Sequence, residues 1–219
     1  MRGNKKSNLQ YWFTVEGDTE KWYLDHVQRV LNNSDETIKS VHIESKVCKS
    51  PKSFVKNTTA LITPEITHLC DIESNSPEHL NSFSNILSEL AFAKKQKGIK
   101  YELGYSNYTF ELWIILHKQQ LKASLSDRSQ YLNYINASYS QSFSSMSEYK
   151  EKDNFQKVLD RIDLNSIMLA IKHAEDIEKQ NKENRVRSKS EYGIKFYLDN
   201  PSLSIHTRIK RILEDCKLL

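Results

Sequence analysis

Carboxylates stand at three places where this chain leaves an apolar segment. Glu16 directly follows the run at 9–15, and Glu20 lies about one helical turn further on. Asp71 directly follows the run at 66–70, with Glu73 two residues later. Glu111 falls in the first turn of a compact apolar segment at 108–117. If these exits share one rim, the acids repel one another unless a cation compensates them. Hard oxygen ligands suit Mg²⁺ or Mn²⁺, which keep several waters and bind phosphate oxygens. Such an ion can activate water and stabilise charge on a phosphodiester. Each acid also has a plainer reading. A glutamate in a first helical turn meets the helix dipole, which covers Glu20 and Glu111. An aspartate after a strand is a turn former. The plain readings explain less well why Glu16, Asp71 and Glu111 all border strongly apolar segments at equivalent places.

Two basic clusters could meet phosphate. Lys46, Lys49, Lys52 and Lys56 follow a strand-like run with no acid among them, and Lys94, Lys95, Lys97 and Lys100 form a second group. Solvated faces are the alternative for both. The first cluster has the better claim to a nucleic-acid role, because its position after a strand puts it near the same rim. Other chemistries find no support. There is no C-x-x-C, H-E-x-x-H, phosphate-binding G-x-x-x-x-G-K-[ST] or G-x-S-x-G motif. Cys48, Cys70 and Cys216 are odd in number and far apart, which fits a reducing cytoplasm and not a disulfide scaffold. His117 reads as a helix-end or core histidine. Trp12, Trp22 and Trp113 read as core.

These residues need a scaffold. The chain has 219 residues, 38% of them hydrophobic and 27% charged, with a net charge of +4. That charge is too mild to establish a nucleic-acid partner. No apolar stretch approaches the ~18 residues of a membrane helix, and the basic N-terminus leads straight into a strand-like run, unlike a signal peptide. The spacing predicts strands at 9–15, 41–47, 66–70 and 99–103, alternating with helices at 18–32, 51–62, 78–97 and 108–117. Residues 104–107 read as a turn. This alternation predicts an α/β fold with a mostly parallel sheet flanked by helices, whose working residues sit at the carboxyl ends of strands. Residues 123–148, rich in Ser, Tyr and Asn, read as an irregular and mobile excursion. Helices are expected at 154–161 and 164–180, a polar connector at 182–190, a strand at 193–198 and a last helix opened by Pro201 and Ser202. The expected division is a catalytic domain at 1–120 and a helical C-terminal extension at 121–219 packed on it.

The motifs also carry a resemblance. Val15-Glu16-Gly17-Asp18-Thr19-Glu20 resembles the E-G-x-T-E opening of RloB-like proteins, the abortive-infection AbiLii group, which are similar to Toprim domains. Asp71-Ile72-Glu73 stands at the family's D-x-D, with Glu73 one methylene longer. Residues 106–117, SNYTFELWIILH, are similar to its S-N-x-x-F-E-L-W block, although Tyr108-Thr109 replaces a small or Pro-containing pair. Tyr149 to Lys152 resembles its Y-x-K segment, and Asn200-Pro201-Ser202 its N-P-S-T ending. The resemblance implies a Toprim-like, metal-dependent nuclease that cuts RNA (tRNA or another RNA) or DNA as a cytoplasmic effector of anti-phage defence. Glu16, Asp71, Glu73 and Glu111 would be catalytic, and Glu16, Glu20, Asp71 and Glu73 would ligate Mg²⁺ or Mn²⁺. Lys152 would join Lys46, Lys49 and Lys52 as a nucleic-acid contact. An ABC- or AAA-type ATPase is the implied partner, with room for a homo-oligomer. The alternative is a catalytically inactive Toprim-like subunit that binds or regulates such an ATPase.

Overall fold

A computed structural model describes residues 8–57, 65–97, 99–125 and 127–219. The elements run β1 (Asn8–Val15), α1 (Asp18–Asn33), β2 (Ser40–Val47), α2 (Pro51–Asn57), β3 (Glu65–Ile72), α3 (Pro77–Lys97), β4 (Lys100–Asn107) and α4 (Glu111–Leu116). There follow α5 (Arg128–Tyr139), α6 (Met146–Tyr149), α7 (Lys152–Leu159), α8 (Leu164–Glu183), β5 (Ser188–Glu191), β6 (Ile194–Tyr197) and α9 (Ile205–Asp215). β1 to β4 form an all-parallel sheet in the order β2-β1-β3-β4, and β5 and β6 pair as an antiparallel hairpin. The predicted α/β class is therefore observed, with helices flanking the sheet and dominating the C-terminal part.

The sheet is buried on both faces, as parallel sheets require. Tyr11, Phe13 and Val15 alternate along β1 toward one cluster that includes Tyr23, Leu24 and Val27 of α1, all of α4, and Ile209 and Leu213 of α9. Phe83, Leu87 and Leu90 of α3 cover Cys70 and Ile72 from the other side. Helix α4 has no polar face to spare. Leu112, Trp113, Ile114, Ile115 and Leu116 are all fully buried, each such side chain contributing about 1.5–3 kcal/mol of burial.

The edge strand β2 is closed by side chains. The Asn32 amide of α1 donates to the Val41 carbonyl while its Oδ1 accepts from the Val41 N–H, both at 2.8 Å, and Gln28 Oε1 accepts from the Ile43 N–H at 2.6 Å. These bonds occupy outward backbone groups that would otherwise template another strand. At the other edge, Gly104 belongs to β4 and not to a turn. A Cβ there would stand 2.5 Å from Leu69 Cδ2, so a side chain would collide with Leu69, while the Ile205 backbone lies at ordinary contact distance, 3.5 Å.

The structure corrects other expectations. Asp71 is the penultimate residue of β3 and not a residue beyond it. Residues 104–107 continue β4 to Asn107. Residues 123–148 are not an irregular excursion. They carry α5, opened by a capping box between Asp127 and Gln130, with Tyr131, Leu132, Ile135 and Tyr139 buried, and then α6. The connector at 182–190 holds the end of α8 and most of β5, and the last helix begins at Ile205, four residues after Pro201. The expected stretch of helix at 58–62 lies outside the described residues. Trp113 is core as expected, whereas Trp12 and Trp22 are only partly buried.

Candidate active site

The strand order places a topological switch point between β1 and β3. The chain leaves β1 toward β2 on one side, then returns to lay β3 on the other. In open parallel sheets the crevice at the carboxyl ends of such a strand pair is where ligands bind. Val15 is in register with Leu69, so Glu16, one residue past β1, is level with the end of β3. Glu16 Oε2 accepts a hydrogen bond from the Asp71 N–H at 3.2 Å. A cleft of about 390 Å³ opens there, lined by Glu16, Gly17, Thr19, Glu20, Asp71 and Glu73 among the acids and their neighbours, with Lys49, Arg128 and Lys150 as its cations.

Helix α1 delivers Glu20 into the cleft. Its N-cap, Gly17, is extended and supplies no side-chain cap. The first turn instead gathers Asp18 and Glu20, the charges its dipole favours. Thr19 Oγ1 donates to Glu20 Oε2 at 3.1 Å. A Cβ at position 17 would approach that same oxygen to 3.1 Å, so the glycine leaves room for the carboxylate.

Glu111 reaches the cluster from behind. Tyr108 adopts a left-handed φ of 69° between β4 and α4, and its N–H donates to the Ile72 carbonyl at 2.6 Å. This strained link turns Thr109 and Glu111 under the ends of the strands. Glu111 is fully buried. Thr109 Oγ1 donates to its Oε2, and Lys150 Nζ forms an ion pair with Oε1 at 3.2 Å. The Lys150 side chain is 41% exposed, so the lysine bridges the buried acid and the open cleft.

The electrostatics follow from crowding. The Asp71 carboxyl is pushed well above its usual range, first by burial and then by the charges of Glu20, Glu111 and Glu16, with Lys150 opposing. Glu16 is raised by burial and by Glu20 and Glu73, against the Asp71 N–H and Lys49. Glu20 is raised by burial and by Glu111. Burial works against the charged form of Lys150, but the charge and hydrogen bond of Glu111, with Asp71 and Glu20, outweigh it and raise its pKa. Glu16, Glu20 and Asp71 are thus short of positive charge.

The sequence-derived residues sort as follows. Glu16, Glu20 and Asp71 share the cleft. Glu73 borders it but is exposed, 3.1 Å from His79 Nε2 and 3.4 Å from Arg128. Glu111 lies behind the cleft wall. Of the expected nucleic-acid contacts Lys46, Lys49, Lys52 and Lys152, Lys49 alone lines the cleft. Lys46 sits over the Phe54 ring and Lys52 over Phe92, while Lys152 lines a neighbouring groove. His117 is a core residue, its Nδ1 2.9 Å from the Trp113 carbonyl and its Nε2 3.1 Å from Tyr23 OH. Burial lowers its pKa to about 3, which keeps it neutral. Lys150 and Arg128 were not singled out from the sequence. The only signal was the Tyr149–Lys152 segment, where the lysine chosen was Lys152.

The donor chemistry fits a hard divalent cation. The lining acids offer only oxygens, no histidine or cysteine lines the cleft, and the carboxyls raise one another's pKa. Glu16, Glu20 and Asp71 are the residues that would hold such an ion. Among the described residues, however, no three acidic, imidazole or thiol groups already converge as a binding set for one ion. Binding would require side-chain rotation, with Glu73 released from His79 and Arg128 if it joins.

An α/β protein with an acidic cleft at the switch point of a parallel sheet is the class that fold and site define. The chain matches the family model described as RloB-like protein over residues 11–212, and it belongs to that family. No curated protein and no solved structure matches it. Two blocks that carry the sequence resemblance are bonded to each other. Asn107 donates through its backbone to the Ser202 carbonyl at 2.8 Å and through its side chain to Ser202 Oγ at 3.2 Å. Among the described residues, no helix is long and apolar enough to cross a membrane.

Proposed function

We propose that this RloB-like protein is a divalent-metal-dependent nuclease. The observation that carries the reading is the convergence of Glu16, Glu20 and Asp71 on one cleft at the ends of β1 and β3. A Mg²⁺ or Mn²⁺ ion held there would supply Lewis-acid stabilisation of a phosphodiester and a more acidic bound water. The chain's own groups divide the remaining work. Glu16, whose carboxyl is raised above its ordinary range by burial and by Glu20 and Glu73, is the group placed to exchange a proton in the cleft. Lys150 provides a fixed positive charge beside the acids, and Lys49 and Arg128 border the entrance. The family resemblance supports a cytoplasmic role in anti-phage defence, on RNA or DNA, under control of an ABC- or AAA-type ATPase partner.

A second reading has its own support. Lys150 already neutralises Glu111, and Glu73 is engaged with His79 and Arg128. A pocket whose Glu111 and Glu73 are already paired suits an inactive module that binds or regulates a defence ATPase. The test is cleavage of labelled RNA and DNA by the purified protein, with its operon partners, in Mg²⁺ or Mn²⁺ and in chelator. Cutting that needs the metal and is lost in Glu16→Gln supports the nuclease. Activity that survives exhaustive chelation sinks it. Metal-insensitive binding without cutting supports the second reading.

A further inference from the structure

Beside the acidic cleft lies a second depression of about 360 Å³, between α1 and α7. Trp22 lines both. The groove's other walls are Lys21, Asp25 and Arg29 of α1 and Lys152, Phe155 and Gln156 of α7. Its charge is the reverse of the cleft's, with three cations against the single carboxylate of Asp25. Among the described residues, none of Lys21, Arg29 and Lys152 forms an ion pair with a carboxylate. Arg29 makes a long hydrogen bond, 3.5 Å, to the buried His26 ring. Trp22 is partly buried, its ring 6.2 Å from that of the fully buried Phe155 and tilted by 39°. A partly exposed indole that lines both depressions, packs against Phe155 and is bordered by three cations with no carboxylate ion pair has the make-up of a base-stacking platform with a phosphate-neutralising border.

We propose that the α1–α7 groove holds a nucleotide next to the scissile phosphate of a single-stranded nucleic acid, with its base on Trp22 and its backbone phosphate against Lys21, Arg29 and Lys152. This deepens the nuclease reading and rests on it. The groove explains how an acidic cleft can receive a polyanion, since the strand is anchored by cations one step away from the carboxylates that would hold metal. It also selects for single strands. A base in a duplex is stacked on both faces and cannot offer one to Trp22 without unpairing.

The experiment is fluorescence anisotropy with fluorescein-labelled single-stranded RNA and DNA 12-mers and the matching duplexes, with Ca²⁺ in place of Mg²⁺ so that binding is read without cutting. Single strands should bind more tightly than duplexes. Trp22→Ala should weaken single-strand binding about tenfold or more, and Trp22→Phe should restore most of it. The double change Lys21→Gln and Lys152→Gln should reduce the slope of log affinity against log salt by about one to two. Melting temperatures of the variants separate lost stacking from lost fold, and Trp22→Phe serves where Trp22→Ala is unstable. Wild-type affinity in Trp22→Ala and in the lysine variant would overturn the proposal, as would equal binding of duplex and single strand. The two readings fail separately. Trp22-dependent binding without any metal-dependent cutting removes the nuclease and leaves the groove. Metal-dependent cutting of single strands indifferent to Trp22 removes the groove and leaves the nuclease. Absence of any nucleic-acid binding removes both.

Discussion

Asp71 concentrates the electrostatic conflict of the site. Its carboxyl titrates well above the ordinary range because it is buried among Glu20, Glu111 and Glu16. A carboxyl raised in this way stays protonated in the native state while the unfolded chain ionises. Its contribution to stability is therefore whole below the ordinary aspartate pKa and is lost as pH rises toward the native one. Asn mimics the protonated form and escapes the loss. In chelator, Asp71→Asn should melt above wild type, with a gap that widens as pH rises above the ordinary aspartate range, while metal-dependent cleavage falls about a hundredfold or more. A gap that shrinks with rising pH would refute this account of the cluster. Lys150 should behave oppositely. Lys150→Gln strands the buried Glu111 carboxylate, and cleaving a fully buried pair costs about 3–5 kcal/mol. Because Lys150 is partly open to water, about 1–2 kcal/mol is expected, read as a lower denaturation midpoint that Mn²⁺ partly recovers. Wild-type stability in Lys150→Gln would show that the pair carries no net weight. The acids were legible in the sequence because each abuts an apolar run whose end marks the sheet rim. Lys150 was not, since it reaches Glu111 from 39 residues away, and no local pattern distinguishes it from Lys152.

Among the elements, the strands and the N-terminal helices could be read from apolar periodicity. The misreadings arose where burial uses polar-looking residues. Helix α5 buries Tyr131 and Tyr139, whose hydroxyls find the Asn200 side chain at 3.1 Å and the Ile114 carbonyl at 2.7 Å. Tyrosines with such partners count as core, yet beside Ser and Asn they look like loop. A capping box between Asp127 and Gln130 starts this helix. Asp127→Ala should destabilise the start of α5, measured as a lower denaturation midpoint. An unchanged midpoint would mean that packing alone fixes the start of α5. Gly104 differs for another reason: glycine usually marks a turn, but here it leaves room for the Leu69 side chain beside the strand. The edge of β2 shows the same logic in reverse. Asn32→Leu removes the bidentate clamp on Val41 and leaves its N–H and C=O free. It should raise the sedimentation coefficient or light scattering at high protein concentration, as unguarded edges pair. A variant that stays monomeric would show that Gln28 alone suffices.

At the scale of the molecule, the sheet and its helices bring repelling carboxylates to a single cleft, so folding without a cation carries a standing electrostatic cost. A ligand that binds only the native state lowers the free energy of folding by its binding work. At a hundred times its Kd, one ion contributes about 2.7 kcal/mol. For a chain of this size that is roughly 5–10 °C in melting temperature. Titrating Mn²⁺ or Mg²⁺ into chelator-stripped protein should therefore raise its melting temperature by an amount that grows with the logarithm of free metal. Glu16→Gln with Asp71→Asn should abolish the shift while melting no lower than wild type in chelator, because both changes remove repelling charge. A general salt effect would act on wild type and variant alike, and K⁺ at matched ionic strength separates it. If divalent ions leave the wild-type melting temperature unmoved, Lys150 is the compensating cation of the acids. The cleft then serves recognition, and the RloB-like chain works through a partner and not through its own chemistry.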